Sequence, residues 1–323
     1  MNSISRQMIG SRVLMKKGSL CSTWNRSFSF DRVNPEELAK FATVGSDWWD
    51  TTSKSGTGPL HAMNPVRVGF IRQQIAQRFK RQNLFESKQI QGLDILDVGC
   101  GGGILAEALA RLGANVTAID PSAENISVAR SHSSRDPLTA TINYEQSTIE
   151  QVADSGRKFH AVCALEVIEH VDDPRGFLRA CSRCLLNSNS ASATTSSTSQ
   201  GTSSTNTSSD ENEGFPAVGG SLFVSTMNRT KQSYAMAILG AEYVLQMVPP
   251  GTHDWDKFIR PEELQSMVEV SHNEEQSMQM QSVKGMVLYP PKGALPSPRI
   301  TQDWWSLSDS DTKVNYIAHF TKS

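Results

Sequence analysis

Two short segments hold the residues best suited to chemistry. The first is Asp97-Val98-Gly99-Cys100-Gly101-Gly102-Gly103. Counted from Gly99 it reads G-x-G-x-G, and Ile104 stands where a dinucleotide fingerprint needs its last glycine. A phosphate loop of the Walker type would end in Gly-Lys-Ser/Thr, and this one does not. S-adenosylmethionine carries no phosphate. It needs backbone that comes close to its methionine part, which Gly99, Gly101 and Gly103 allow. It also suits an acid near its ammonium and sulfonium charges, a role open to Asp97, whose structural alternative is to cap the glycine turn. Asp120 closes the next apolar run, where an acid accepts hydrogen bonds from ribose hydroxyls. Together these residues favour S-adenosylmethionine over a nicotinamide dinucleotide and leave the acceptor unnamed.

The second segment is Glu166-Val167-Ile168-Glu169-His170. Its ionisable residues fall at i, i+3 and i+4, so a helical turn would put all three on one face. Two carboxylates can hold Mg2+ directly. Without a metal, His170 is the candidate general base, and the same pattern can also serve only to shape a pocket. His253 is a second candidate base, with a structural role as its alternative.

These segments need a scaffold, and the flanking pattern supplies one. Leu93–Val98, Asn115–Asp120, Thr141–Glu145, Phe159–Leu165 and Ser221–Thr226 read as strands. Helices fit Ile104–Leu112, closed by Gly113, then Ala123–His132 and Pro174–Leu186. Strands alternating with helices mean parallel β-α-β units in a doubly wound sheet. Ligands bind at the carboxyl ends of such strands, where Asp97 and Asp120 fall. Val283–Tyr289 and Val314–Phe320 read as the last strands. Upstream, Asn34-Pro35-Glu36-Glu37 opens a helix, and a second helix is expected to begin near Asn64-Pro65.

The chain divides into residues 1–30, 31–92 and 93–323. The first thirty residues carry Arg6, Arg12, Lys16, Lys17 and Arg26, are rich in serine and contain no acid, the pattern of an organelle transit peptide. Residues 31–92 form an N-terminal helical cap, and 93–323 the catalytic domain. Over 187–216 the domain is interrupted by a Ser/Thr-rich tract in which 16 of the 23 residues from 187 to 209 are Ser or Thr. Such a tract cannot bury enough apolar surface to offset its ordering entropy, so a disordered insertion is expected. A net charge of −2 gives no reason to expect nucleic acid as a partner. No apolar run is long enough to span a membrane. Five cysteines form no disulfide framework and imply a reducing compartment. Cys181 and Cys184 lack the second ligand pair that zinc needs and read as buried thiols.

Asp47-Trp48-Trp49-Asp50, Pro59-Leu60-His61, Asn64-Pro65-Val66-Arg67, the glycine loop with Ile104-Leu105-Ala106-Glu107, Glu166–His170, Ser225-Thr226-Met227-Asn228-Arg229 and Gly251-Thr252-His253-Asp254-Trp255 occur in one order. In this the chain resembles the ubiquinone-biosynthesis O-methyltransferases in their mitochondrial form, over roughly residues 36–320. The resemblance implies a class I S-adenosylmethionine-dependent methyltransferase fold: a Rossmann-like, mostly parallel seven-stranded sheet with helices on both faces and an antiparallel last strand. It implies methyl transfer to phenolic hydroxyls of polyprenylated dihydroxybenzoate and demethylubiquinol intermediates. Arg67, Gly99, Asp120 and Leu165 match cofactor-contacting positions, Leu165 standing where the family often has Met. The resemblance also suggests that Glu166, Glu169 and His170 bind Mg2+. The insertion is a departure, displacing a short Pro-Gly turn before the fifth strand.

A polyprenyl substrate resides in the bilayer, so the enzyme is expected as a peripheral protein on the matrix side of the mitochondrial inner membrane, with a ubiquinone-biosynthesis multi-enzyme complex as a further partner. Arg229 and Lys231 lead into Ser233–Val248, where Met236, Ile238, Leu239, Tyr243, Val244 and Met247 supply apolar area. That stretch reads either as an interfacial anchor or as a helix covering the site.

Overall fold

Ile95 and Leu96 put apolar side chains on both faces of a strand, as an inner parallel strand requires, and Asp94–Val98 forms an inner strand of the sheet. A computed structural model of the chain describes residues 44–51, 57–188, 218–236, 238, 254–269, 277–289 and 302–323. The strands are β1 (Asp94–Val98), β2 (Asn115–Asp120), β3 (Asn143–Gln146), β4 (Ala161–Leu165), β5 (Ser221–Met227), β6 (Met278–Leu288), β7 (Trp305–Ser308) and β8 (Asn315–Lys322). They form one sheet in the order β3-β2-β1-β4-β5-β8-β6-β7. From β3 to β5 the pairings are parallel. β8 runs antiparallel between β5 and β6, and β7 runs antiparallel on the outer edge of β6.

The expected seven strands are therefore eight. The antiparallel last strand is present, lying inside the sheet, and the additional strand is β7. Its four residues, Trp-Ser-Leu-Ser, are too short and too polar to announce themselves, and only pairing with Gly285–Leu288 makes them a strand.

Helices cover both faces: α1 (Thr57–Arg78), α2 (Ile104–Arg111), α3 (Ala123–Ser133), α4 (Ile149–Asp154), α5 (Pro174–Arg183) and α6 (Pro261–Glu269). Alternation along each strand divides the core in two. On one side Phe70, Ile71 and Ile75 of α1 join Leu105, Leu109 and Ile126 against Ile95, Val116 and Phe223. On the other, Phe177, Leu178 and Leu264 join Ile149 and Val152 against Leu96, Val162, Leu222 and Phe320. Each large apolar side chain so buried contributes about 1.5–3 kcal/mol. Cys181 and Cys184 are fully buried on this second side, and burial pushes both thiols up, Cys184 to about 11.

Two elements differ from the sequence expectation. Helix α1 begins at Thr57, seven residues before Asn64, and contains Pro65. Proline removes one helical hydrogen bond, and tertiary bonds hold the early turns instead: Thr57 Oγ1 donates to Asp47 O (3.1 Å) and Asn64 Nδ2 to Ile104 O (3.1 Å). Helix α4 was not expected, although its capping box was in view. Thr148 Oγ1 accepts from the Gln151 amide and Gln151 Oε1 from the Thr148 amide. Residues 1–43, most of the 187–216 tract, most of Ser233–Val248 and the segment Gly251–His253 lie outside the described residues.

Candidate active site

The glycine loop leaves β1 at the point where strand order reverses, between β1 and β4. The Gly99 and Cys100 amides both donate to Ile119 O (2.8 and 3.0 Å), bending the loop toward β2. Gly99 has φ +69°, and a Cβ there would lie 2.5 Å from Val167 Cγ2. The loop therefore packs directly on the Glu166–His170 segment, and no larger residue fits. Gly101 has φ +52°, and its Cβ would meet Trp48 Cη2 at 2.3 Å. Gly103, at φ +90°, precedes the first turn of α2.

Asp120, at the end of β2, accepts from the Gly101 amide (2.9 Å), the Ser122 amide (2.9 Å) and Asn125 Nδ2 (3.2 Å). Burial raises its carboxyl above the ordinary value, and these three bonds pull it back. Trp48 Nε1 donates to Asn125 Oδ1 (2.9 Å), and Trp49 Nε1 to Gly102 O (3.0 Å). The Trp49 ring stacks on His132 with centroids 3.5 Å apart. The turn Gly45–Trp49 is thus fastened onto the cofactor loop. In the sequence, Trp48 and Trp49 served only as family markers; their pairing with Asn125 and His132 spans more than seventy residues and has no local signal.

Buried Arg67 and Asp97 and half-buried Glu166 form a charged row. Arg67 is 4% exposed and donates from Nη2 to Leu60 O (3.0 Å), while its Nε has no partner among the described residues. Burial pulls its guanidinium down, and the charges of Glu166 and Asp97 push it back up. Asp97 is 3% exposed, with Oδ2 buried and unpartnered among the described residues. Burial raises its carboxyl to about 7; Arg67 opposes the rise and Asp120 adds to it. A buried carboxylate oxygen and a buried guanidinium N–H without partners are expensive to leave unsatisfied. Together they complement the ammonium and carboxylate of an amino acid. Leu165, half-buried at the end of β4, pairs with Ser225.

The Glu166–His170 segment departs from expectation. Glu166 has φ +56°, a left-handed conformation uncommon outside glycine, and only Ile168–His170 form a helical turn. The chain is thereby taken out of helical register at its first acid, so Glu166, Glu169 and His170 do not share one helical face. Among the described residues, no group of three His, Cys, Asp or Glu side chains is placed to hold a metal ion. The two carboxylates are instead held by hydroxyls of β5: Ser225 Oγ donates to Glu166 Oε1 (2.6 Å) and Thr226 Oγ1 to Glu169 Oε2 (2.9 Å). Asn315, from β8, places Nδ2 at 3.4 Å from both Glu166 oxygens. Sequence reasoning assigned no role to Ser225, Thr226 or Asn315. A strained non-glycine residue whose carboxylate is held by two side chains, Ser225 and Asn315, is the kind of outlier that clusters at functional sites. His253 lies outside the described residues; nearby Asp254 caps the turn Trp255–Lys257.

Residues 96–188 match the family described as Methyltransferase domain. The structure of the plantazolicin methyltransferase BpumL in complex with SAH aligns over 89% of this chain and 96% of that one, with a TM-score of 0.51 at 12% identity. Fold and glycine loop thus define a class I S-adenosylmethionine-dependent methyltransferase. The mitochondrial ubiquinone biosynthesis O-methyltransferase of Arabidopsis thaliana is 38% identical over 290 residues, covering 90% of this chain and 74% of that protein. The ubiquinone biosynthesis O-methyltransferase of Azorhizobium caulinodans is 39% identical over 285 residues, 88% of this chain and 92% of its own. The chain belongs to the ubiquinone biosynthesis O-methyltransferase family.

Proposed function

We propose that this chain methylates phenolic hydroxyls of polyprenylated dihydroxybenzoate and demethylubiquinol intermediates in ubiquinone biosynthesis. The observation that carries the reading is the charged row of buried Asp97 and Arg67 with half-buried Glu166. It offers unsatisfied complements to an amino acid at one end and a braced carboxylate at the other. Family membership supports the choice of acceptor.

On the donor side, Asp97 takes the ammonium of S-adenosylmethionine and Arg67 its carboxylate. Gly99, Gly101, Gly103 and Leu165 line the approach. A carboxylate has about four acceptor positions; Asp120 uses three within the protein, leaving one for a ribose hydroxyl. When bound, the cofactor supplies a methyl group on a sulfonium, open to direct displacement. A phenol with a pKa of about 10 must lose its proton as its oxygen attacks. Glu166, Glu169 and His170 are the groups positioned to receive it, with Glu166 oriented by Ser225 and Asn315. Glu166 and Glu169 are the carboxylates Mg2+ would need, but the three expected ligands are not gathered into one set among the described residues.

The reading takes residues 1–30 as a mitochondrial transit peptide, 31–92 as an N-terminal cap and 93–323 as the catalytic domain. It locates the enzyme peripherally at the matrix face of the inner membrane, within a biosynthetic complex. The mitochondrial Arabidopsis relative supports the organelle. Tyr234 and Met236, exposed just after Arg229 and Lys231, support contact with a membrane surface. No helix among the described residues is long and apolar enough to cross a membrane. The test is turnover of a short-chain polyprenyl catechol acid, with and without EDTA, the product read by mass and methyl position. An O-methyl product is expected. A C-methyl product, or cofactor binding without any turnover, would sink the reading, and full activity in EDTA would remove Mg2+ from it.

A further inference from the structure

Glu107, in the first turn of α2, has no part in the donor chemistry above, yet it is fully buried. A carboxylate taken that far out of water is kept only where it is paired. Arg111 Nη2 donates to its Oε2 (2.9 Å) and His132 Nδ1 to its Oε1 (2.6 Å). Because a carboxylate only accepts, the second bond places the imidazole proton on Nδ1 and fixes the ring's orientation. The ring face so presented is covered by Trp49, with centroids 3.5 Å apart and 7° between the planes. Trp49 Nε1 in turn donates to Gly102 O (3.0 Å) in the glycine loop.

Gly45–Trp49 is a turn of five residues with no side-chain cap at its start. So short a turn does not hold its own geometry, because nucleating a helical turn costs more than its few bonds return. Trp49 is therefore aimed by what it touches. His61 meets it edge-on at 5.3 Å, but His61 Nε2 is itself bonded to Trp48 O (2.8 Å), within the same turn. His132 ties Trp49 to α3 and, through Glu107, to α2. We infer that His132 is a positioning residue for cofactor binding: held by Glu107, its ring sets Trp49 so that the indole N–H fastens the Gly102 carbonyl and keeps the loop in its binding form. It acts through Trp49 rather than as a ligand of the cofactor. This rests on the reading of the glycine loop as the donor site.

The experiment is a double-mutant cycle of H132A and W49F, read by SAH calorimetry at pH 8. W49F retains a stacking ring and loses the bond to Gly102. H132A retains the indole N–H and loses the surface that aims it. Each single variant should weaken SAH about three- to tenfold, the scale of one hydrogen bond. KM for S-adenosylmethionine should rise in proportion, with kcat at saturation within about twofold of wild type. The double variant should be no weaker than the weaker single, because both changes remove the same bond. H132F restores a ring against Trp49 and should bind SAH within about twofold of wild type. If H132A does not fold, H132N, which keeps a donor for Glu107 and offers no ring, takes its place in the cycle. Losses that multiply in the double variant overturn the inference. So does an H132A or H132N that binds SAH as wild type does, or an H132F as weak as either. Asp97→Asn is measured in parallel; if it binds SAH as tightly as wild type, the donor-site reading falls instead.

Discussion

The glycine loop and the Glu166–His170 segment face each other across the junction of β1 and β4, close enough that a methyl group on Gly99 would strike Val167. They are assembled differently. On the proposed donor side, five of the seven residues from Asp97 to Gly103 are an acid or glycines, and Asp120 is the last residue of the strand next to them. On the acceptor side, the reactive residues are contiguous but their supports are remote. Ser225 is 59 residues from Glu166, and Asn315 is 149. Apart from Arg67, which α1 supplies, the donor side is local, whereas the acceptor side depends on the antiparallel strand being correctly seated.

The contrast can be broken at its most reactive point. Glu166→Gln keeps the shape and the bond from Ser225 but removes the base, and kcat should fall about 10²–10⁴-fold. SAH affinity should stay within about threefold, because the donor side is built without Glu166's proton chemistry. Steady-state kinetics with calorimetry checks this; a parallel loss of SAH binding would show that the two sides are one energetic unit.

Asp97 sharpens the donor side through pH. With its carboxyl raised to about 7 by burial, binding an ammonium below that pH first requires a proton to leave. SAH affinity should therefore be flat above about pH 7 and weaken by up to about tenfold for each pH unit below it. Stability of the cofactor-free protein should run the other way. An unfolded Asp ionises near its ordinary value while the folded one holds its proton until about 7, so stability declines as pH rises across that window and levels off above it. Calorimetric titrations and Tm measured from pH 5 to 8.5 test both trends, and Asp97→Asn should abolish both.

The smallest effect is expected at Trp48. Trp48→Phe keeps a ring over the loop and loses the bond to Asn125, through which Trp48 reaches the Asp120 network. SAH affinity should weaken by roughly three- to tenfold with kcat at saturation unchanged, as read by calorimetry and kinetics. A change in kcat instead would mean that the turn Gly45–Trp49 serves the acceptor side.

Much of this was legible beforehand. The strands β1 to β5 were placed within a few residues, because apolar runs alternating with helical spacing are a local record of burial. The dinucleotide fingerprint was excluded by one residue, Ile104. Strand β7 and the true start of α1 were not legible: Trp305–Ser308 is a strand only because β6 lies beside it, and the turns before Pro65 persist because Asp47 and Ile104 accept their hydrogen bonds. The metal trio rested on the family resemblance, and the helical spacing read beside it is one that the left-handed backbone of Glu166 does not provide.

Residue types and spacing were enough to name the cofactor, the alternating architecture and the pair of carboxylates, since each depends on neighbours within one turn or one strand. Tertiary structure alone decided how those carboxylates are held, which buried atoms are left wanting a ligand, and where the two tryptophans dock. Those properties arise where β5, β8 and the turn before α1 converge on β4 and the glycine loop, and no local periodicity records a meeting of segments so far apart in the chain.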